Sequence, residues 1–108
     1  MPKAVNVGLR VMKGVPIENQ NFLDQVRTKA VEDPEVKGAE IGLIRSREIG
    51  GKTWNYFILK RKDEINQEFW ARKLKPDEVF IVLYTAVGTY YDQYQPEFLK
   101  ILETASKN

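Results

Sequence analysis

Between Val5 and Val11 the apolar residues Val5, Val7, Leu9 and Val11 alternate with Asn6, Gly8 and Arg10. A period of two belongs to a strand with one face buried, so a first strand is predicted here. Past Gly14-Val15-Pro16 the period changes: Phe22, Leu23, Val26 and Ala30 recur at helical spacing, with Asp24, Gln25, Arg27 and Lys29 between them. This predicts a helix from about Glu18 to Asp33, ended by Pro34.

Two longer stretches, Ala39 to Ile49 and Lys52 to Lys62, flank Gly50-Gly51. Adjacent glycines reach the positive φ angles of a tight primed turn without steric cost, so the stretches read as a hairpin. Asp63-Glu64 predicts the next turn, leading into a strand from Ile65 to Leu74. Lys75-Pro76-Asp77-Glu78 predicts another, with proline at its second position. The strand that follows, Val79 to Ala86, is apolar at both parities through Val79-Phe80-Ile81-Val82-Leu83-Tyr84, so it should be covered on both faces and lie away from the sheet edge. Two helices, one per face, would cover it. The second helix is predicted where Tyr91, Tyr94, Phe98, Ile101, Leu102 and Ala105 share one side, entered through Gly88-Thr89 with Thr89 as N-cap and Pro96 as a bend or restart. Tyr91 and Tyr94 then belong to the core, whereas Tyr90 is exposed.

Strand, helix, four-stranded meander, helix describes an α+β fold: an antiparallel sheet of about five strands with helices packed on its faces. No repeat, low-complexity segment or Gly/Ser linker divides the 108 residues, which read as one domain with only Ser106-Lys107-Asn108 frayed. With 43% hydrophobic and 11% aromatic residues the chain can build one modest core. Its 17 basic and 15 acidic residues leave a formal charge of +2, so no global field draws it toward polyanions. No apolar run approaches the ~20 residues of a spanning helix, and the start, Met1-Pro2-Lys3-Ala4-Val5, lacks the apolar core of a secretory signal. The chain is therefore expected to be cytoplasmic or the mature part of an exported precursor.

There is no cysteine and no histidine. That excludes disulfides, thiolate nucleophiles, imidazole general bases, the usual zinc sites and every Ser-His or Cys-His arrangement, so neither an enzyme nor a cofactor is expected. Gly50-Gly51-Lys52-Thr53 matches the end of a phosphate-binding loop, but the earlier glycine is replaced by Ser46 and a strand, not a helix, follows Thr53. The acidic pairs Glu32-Asp33, Asp63-Glu64 and Asp77-Glu78 fall at turns, where carboxylates are ordinarily solvated or satisfy backbone amides.

One constellation is basic and aromatic. A two-residue turn at Gly50-Gly51 sets Arg47 across from Trp54 and Arg45 across from Tyr56. A two-residue turn at Asp63-Glu64 would bring Lys73 opposite Trp54 and Phe57 opposite Trp70. The favoured account is a cross-strand cation–π pair shielding an aromatic ring. The functional alternative is an aromatic platform formed by Arg45, Arg47, Trp54 and Lys73 for single-stranded nucleic acid, an anionic sugar or a protein.

The run Val79-Phe80-Ile81-Val82-Leu83-Tyr84-Thr85-Ala86 and the stretch from Tyr90-Tyr91-Asp92-Gln93-Tyr94 to Ser106 resemble the closing strand and helix of PsbP-like domains. Upstream, Val5 to Val11 followed by a helix, and Glu48-Ile49-Gly50-Gly51-Lys52 opening a strand, also resemble that order. The superfamily includes the Ran-binding nuclear import factor Mog and small bacterial lipoproteins. The resemblance implies an antiparallel sheet between helices and a non-catalytic binding or accessory role through protein contacts, with regulation of a small GTPase as an alternative; weak single-stranded nucleic-acid binding through Arg45, Arg47, Trp54 and Lys73 is a further alternative that rests on those residues alone. Such domains usually begin with an extra strand pair, and only Met1 to Ala4 precede Val5. Either this copy is minimal or its start, with an export signal or lipid anchor, is missing; a minimal copy would leave an uncovered sheet edge, predicting either a homodimer formed by edge pairing or a charged strand that blocks it, with Arg10 and Lys13 as blockers.

Overall fold

Alternation of apolar and polar side chains builds β1 (Val5–Lys13), and the helical period that follows builds α1 (Asn19–Glu32). The computed structural model describes residues 5–13, 19–33, 38–61, 64–75 and 77–107. Gly14 to Glu18, Pro34, Lys62, Asp63 and Pro76, on which part of the expectation rests, lie outside the described residues. Beyond α1 come β2 (Glu40–Ile41), β3 (Arg45–Ile49), β4 (Lys52–Lys60), β5 (Ile65–Lys75), β6 (Glu78–Val87) and α2 (Tyr90–Ala105). The strands form a six-stranded antiparallel sheet in the order β1-β6-β5-β4, with β2 and β3 both pairing β4. The expected five strands become six because the stretch from Ala39 to Ile49 leaves the ladder between Ile41 and Arg45. There the Gly42 N–H bonds the Ile58 carbonyl at 2.8 Å, and a Cβ at Gly42 would stand 3.3 Å from that oxygen.

β6 lies between β1 and β5, away from the edge, and each sheet face carries one helix, as its two-sided apolar pattern requires. On one face α2 packs Tyr91, Phe98, Leu102 and Ala105 over Val5, Trp54, Trp70, Val82, Tyr84 and Ala86. On the other, α1 packs Leu23, with Phe22 and Val26 beside it, over Phe57, Ala71 and Val79. Both cores are aromatic. Tyr84 stacks on Phe98 at 4.6 Å between centroids, and Phe57 stacks on Phe69 at 4.7 Å.

The Gly50-Gly51 turn forms as expected, with φ of 59° and 79° and Ile49 paired to Lys52. The next turn differs. Arg61 faces Ile65 with three residues between them, and Glu64 takes the positive φ of 66° that closes such a loop. That extra residue shifts the β4–β5 register by one, so Phe57 pairs Phe69 and Tyr56 pairs Trp70. A one-residue slip turns every side chain of a strand to the other face. α2 runs unbroken through Pro96, and Thr89 stands at its N-cap without a side-chain capping bond. Ser106 is fully buried rather than frayed.

Candidate functional site

The four residues proposed for an aromatic platform do not form one. Arg47 does pair with Trp54, and Arg45 with Tyr56, and both arginines are exposed on β3. Trp54, however, is fully buried beneath α2, so its ring offers no face to a ligand. Its Nε1–H donates to the Ser106 hydroxyl at 2.7 Å, and that hydroxyl donates to the Leu102 carbonyl at 2.7 Å. Lys73 pairs with Val79, which belongs to the α1 core, so it lies on the opposite face from Trp54. The shifted register brings Arg72 to the indole instead. Its guanidinium stands 5.5 Å from the Trp54 ring centroid and donates to the Ala105 carbonyl at 3.2 Å. A cation at a helix C-terminus meets the negative end of the helix dipole, so Arg72 fastens the end of α2 to the sheet. Burial draws its pKa below the ordinary arginine range.

The other buried polar group is Glu68, 1% exposed under the start of α2. One carboxylate oxygen accepts from Trp70 Nε1 at 2.9 Å; the other accepts from the Tyr91 hydroxyl at 2.5 Å and from Gln95 Nε2 at 2.8 Å. The Tyr84 hydroxyl bonds the Tyr91 carbonyl at 2.7 Å. Burial, then the Glu68 hydrogen bond and charge, push the Tyr91 hydroxyl well above the usual tyrosine range. Burial first, with Glu68 and Asp92 adding to it, pushes Tyr84 up to about 12. These carboxylate bonds are all spent inside the fold. Among the described residues no group of three or more Asp or Glu side chains could hold a metal ion, and no helix is long and apolar enough to cross a membrane.

What remains accessible and unusual lies along β1. Strands ~4.8 Å apart make a sheet of this size roughly 25 Å wide, while a helix is about 10 Å across, so one helix cannot cover a face. α1 sits over β4 and β5. This leaves a groove of ≈ 440 Å³ between α1 and β1, floored by Phe69, Ile81 and Leu83 and walled by Phe22, Val26 and Met12. On the other face, a second groove of ≈ 340 Å³ lies between α2 and β1, bounded by Leu9, Phe80 and Ile101. Leu9 is 58% exposed and Val11 44%, although both continue the apolar stripe that begins at buried Val5. Periodicity assigns these residues to a half-buried strand. Nothing in the sequence shows that the helices stop short of the strand's second half.

No protein-family profile matches the chain, and no curated protein matches it. Among solved structures, the chain is similar to a Pseudomonas aeruginosa protein, PA94, described as a protein of unknown function and candidate regulator. The TM-score is 0.56 at 13% identity, over 92% of this chain and 82% of that one. The likeness is one of fold: an α+β chain with an antiparallel sheet.

Proposed function

We propose that this chain is a non-catalytic binding module of the PsbP-like type that acts through protein contacts, taking an apolar segment of a partner into the groove between α1 and β1. The observation that carries this is the groove's lining, where Phe22, Val26, Phe69, Ile81 and Leu83 meet solvent beside an open strand. Apolar concavity of this size is the usual character of a binding site, and an exposed apolar surface is retained where something covers it. The strand–helix–meander–helix order supports the PsbP-like assignment, and the absence of histidine and cysteine from the sequence supports a non-catalytic role.

A photoreactive side chain at Val26, used in cells of the source organism, tests this. The expected result is a cross-link to one partner protein that disappears in Met12→Glu, with the unfolding midpoint of that variant unchanged. Cross-linking that ignores Met12→Glu, or none at all, would remove the groove as a binding site.

A further inference from the structure

β1 is the outermost strand of the sheet, nine residues long, and nothing among the described residues pairs with its outer edge. Open edges of that length are rarely left exposed, because their free N–H and C=O groups invite another strand. We propose that this edge pairs with the same edge of a second copy, antiparallel about a two-fold axis through Leu9, so that two sheets become one.

The residues of β1 decide for a second copy. Read outward from Leu9, the strand carries Gly8 and Arg10, Val7 and Val11, Asn6 and Met12, Val5 and Lys13. Turning a copy over about Leu9 places every residue of β1 opposite a partner. Directly opposed residues share a face, so Leu9 meets Leu9 and Val7 meets Val11 on the α2 side, and the exposed stripe becomes continuous across both copies. On the α1 side Arg10 stands opposite Gly8. A Cβ on Gly8 would touch nothing within 4 Å, so space is open there for the arginine stem of the other copy. Lys13 stands opposite Val5, so no like charges meet.

Other registers are worse. Centring on Arg10 sets two guanidinium groups directly opposite each other, which is destabilising. Centring on Gly8 leaves Met12 and Lys13 beyond the end of the partner's β1. A shift of a single residue turns the apolar stripe against the polar face. Arg10 and Lys13 thus select this register and do not block pairing. The contact is isologous and closes at two copies, as a two-fold interface must. It uses the outer edge of β1, whose Gly8, Leu9, Arg10 and Met12 also border the groove beside α1, so pairing is read by sedimentation and partner binding by the cross-link from Val26, and loss of one is separately observable from loss of the other.

Sedimentation equilibrium tests the pairing. Wild type is expected at twice the chain mass of 12.5 kDa. Leu9→Lys and Leu9→Glu should each sediment as monomers with circular dichroism unchanged, and an equimolar mixture of the two should restore the dimer. The chain has no cysteine, so Leu9→Cys reports the axis directly: a disulfide across the two-fold is expected at a Cα separation of about 4.5–5.5 Å. Val11→Cys should stay reduced, because in this register its two copies stand about 14 Å apart. A monomeric wild type, a dimer that survives Leu9→Lys, or cross-linking through Val11 in place of Leu9 would overturn the proposal.

Discussion

The Trp54 indole donates its N–H to the Ser106 hydroxyl at 2.7 Å across 52 residues of chain, joining the hairpin that starts β4 to the last residue packed at the end of α2. A Cβ on Gly50 would come within 3.0 Å of the Ser106 Cβ, so the turn and the helix end are fitted to each other. Ser106→Ala removes the acceptor while the indole stays buried. An unsatisfied buried donor costs about 1–3 kcal/mol, so the unfolding free energy should fall by that amount, read as a lower urea midpoint at an unchanged m-value. Ser106→Thr, which keeps the hydroxyl, should recover part of the loss. A midpoint unchanged in Ser106→Ala would mean that the bond contributes nothing.

Glu68 anchors the other end of α2 through Tyr91 and Gln95, and holds Trp70 within its own strand. Glu68→Gln replaces an acceptor-only group by one that presents an N–H₂ to existing donors, and Tyr91→Phe removes one of those donors. Each is expected to destabilise by about 1–3 kcal/mol, and because they act on one bond the double variant should lose less than both together. The coupling expected between directly bonded neighbours is about 0.5–3 kcal/mol. Denaturant titration of the four proteins measures it, and strict additivity would remove Glu68–Tyr91 as a linked pair.

How much of this was legible in the sequence depended on the turns. Gly50-Gly51 is an explicit signal, and the Arg47–Trp54 and Arg45–Tyr56 pairs follow from it directly. The loop before β5 carries no such signal. Glu64 adopts a left-handed conformation that an acidic side chain does not announce, and the resulting one-residue shift exchanges Lys73 for Arg72 beside Trp54. The α2 side was readable from helical spacing because Tyr91, Phe98 and Leu102 are all buried. The exposure of Leu9 and Val11 was not. It depends on where α1 and α2 cross the sheet, which is fixed by packing between distant segments and not by the local pattern of β1. For the same reason the buried partners of Glu68 could not be read from a lone acidic residue in an otherwise mixed strand.

Tyr84 on β6 and Tyr91 at the start of α2 set the alkaline limit of the fold. Free tyrosine titrates near pH ~10, whereas Tyr84 in the folded chain is raised to about 12 and Tyr91 is raised further, in both cases first by burial. Folding therefore favours the protonated phenols. Their contribution is complete below the unfolded value near pH ~10 and is lost as pH rises from there through the folded values, since the unfolded chain gives up these protons first. Stability measured by urea unfolding should fall progressively over that window, and tyrosinate absorbance from these two rings should rise only as the circular dichroism of the fold disappears. Tyr84→Phe removes one titrating group together with its hydrogen bond to the Tyr91 carbonyl, so it should lower stability at neutral pH yet give a shallower decline above pH ~10. If wild type and Tyr84→Phe lost stability in parallel across that window, alkaline unfolding would have to be driven by other groups.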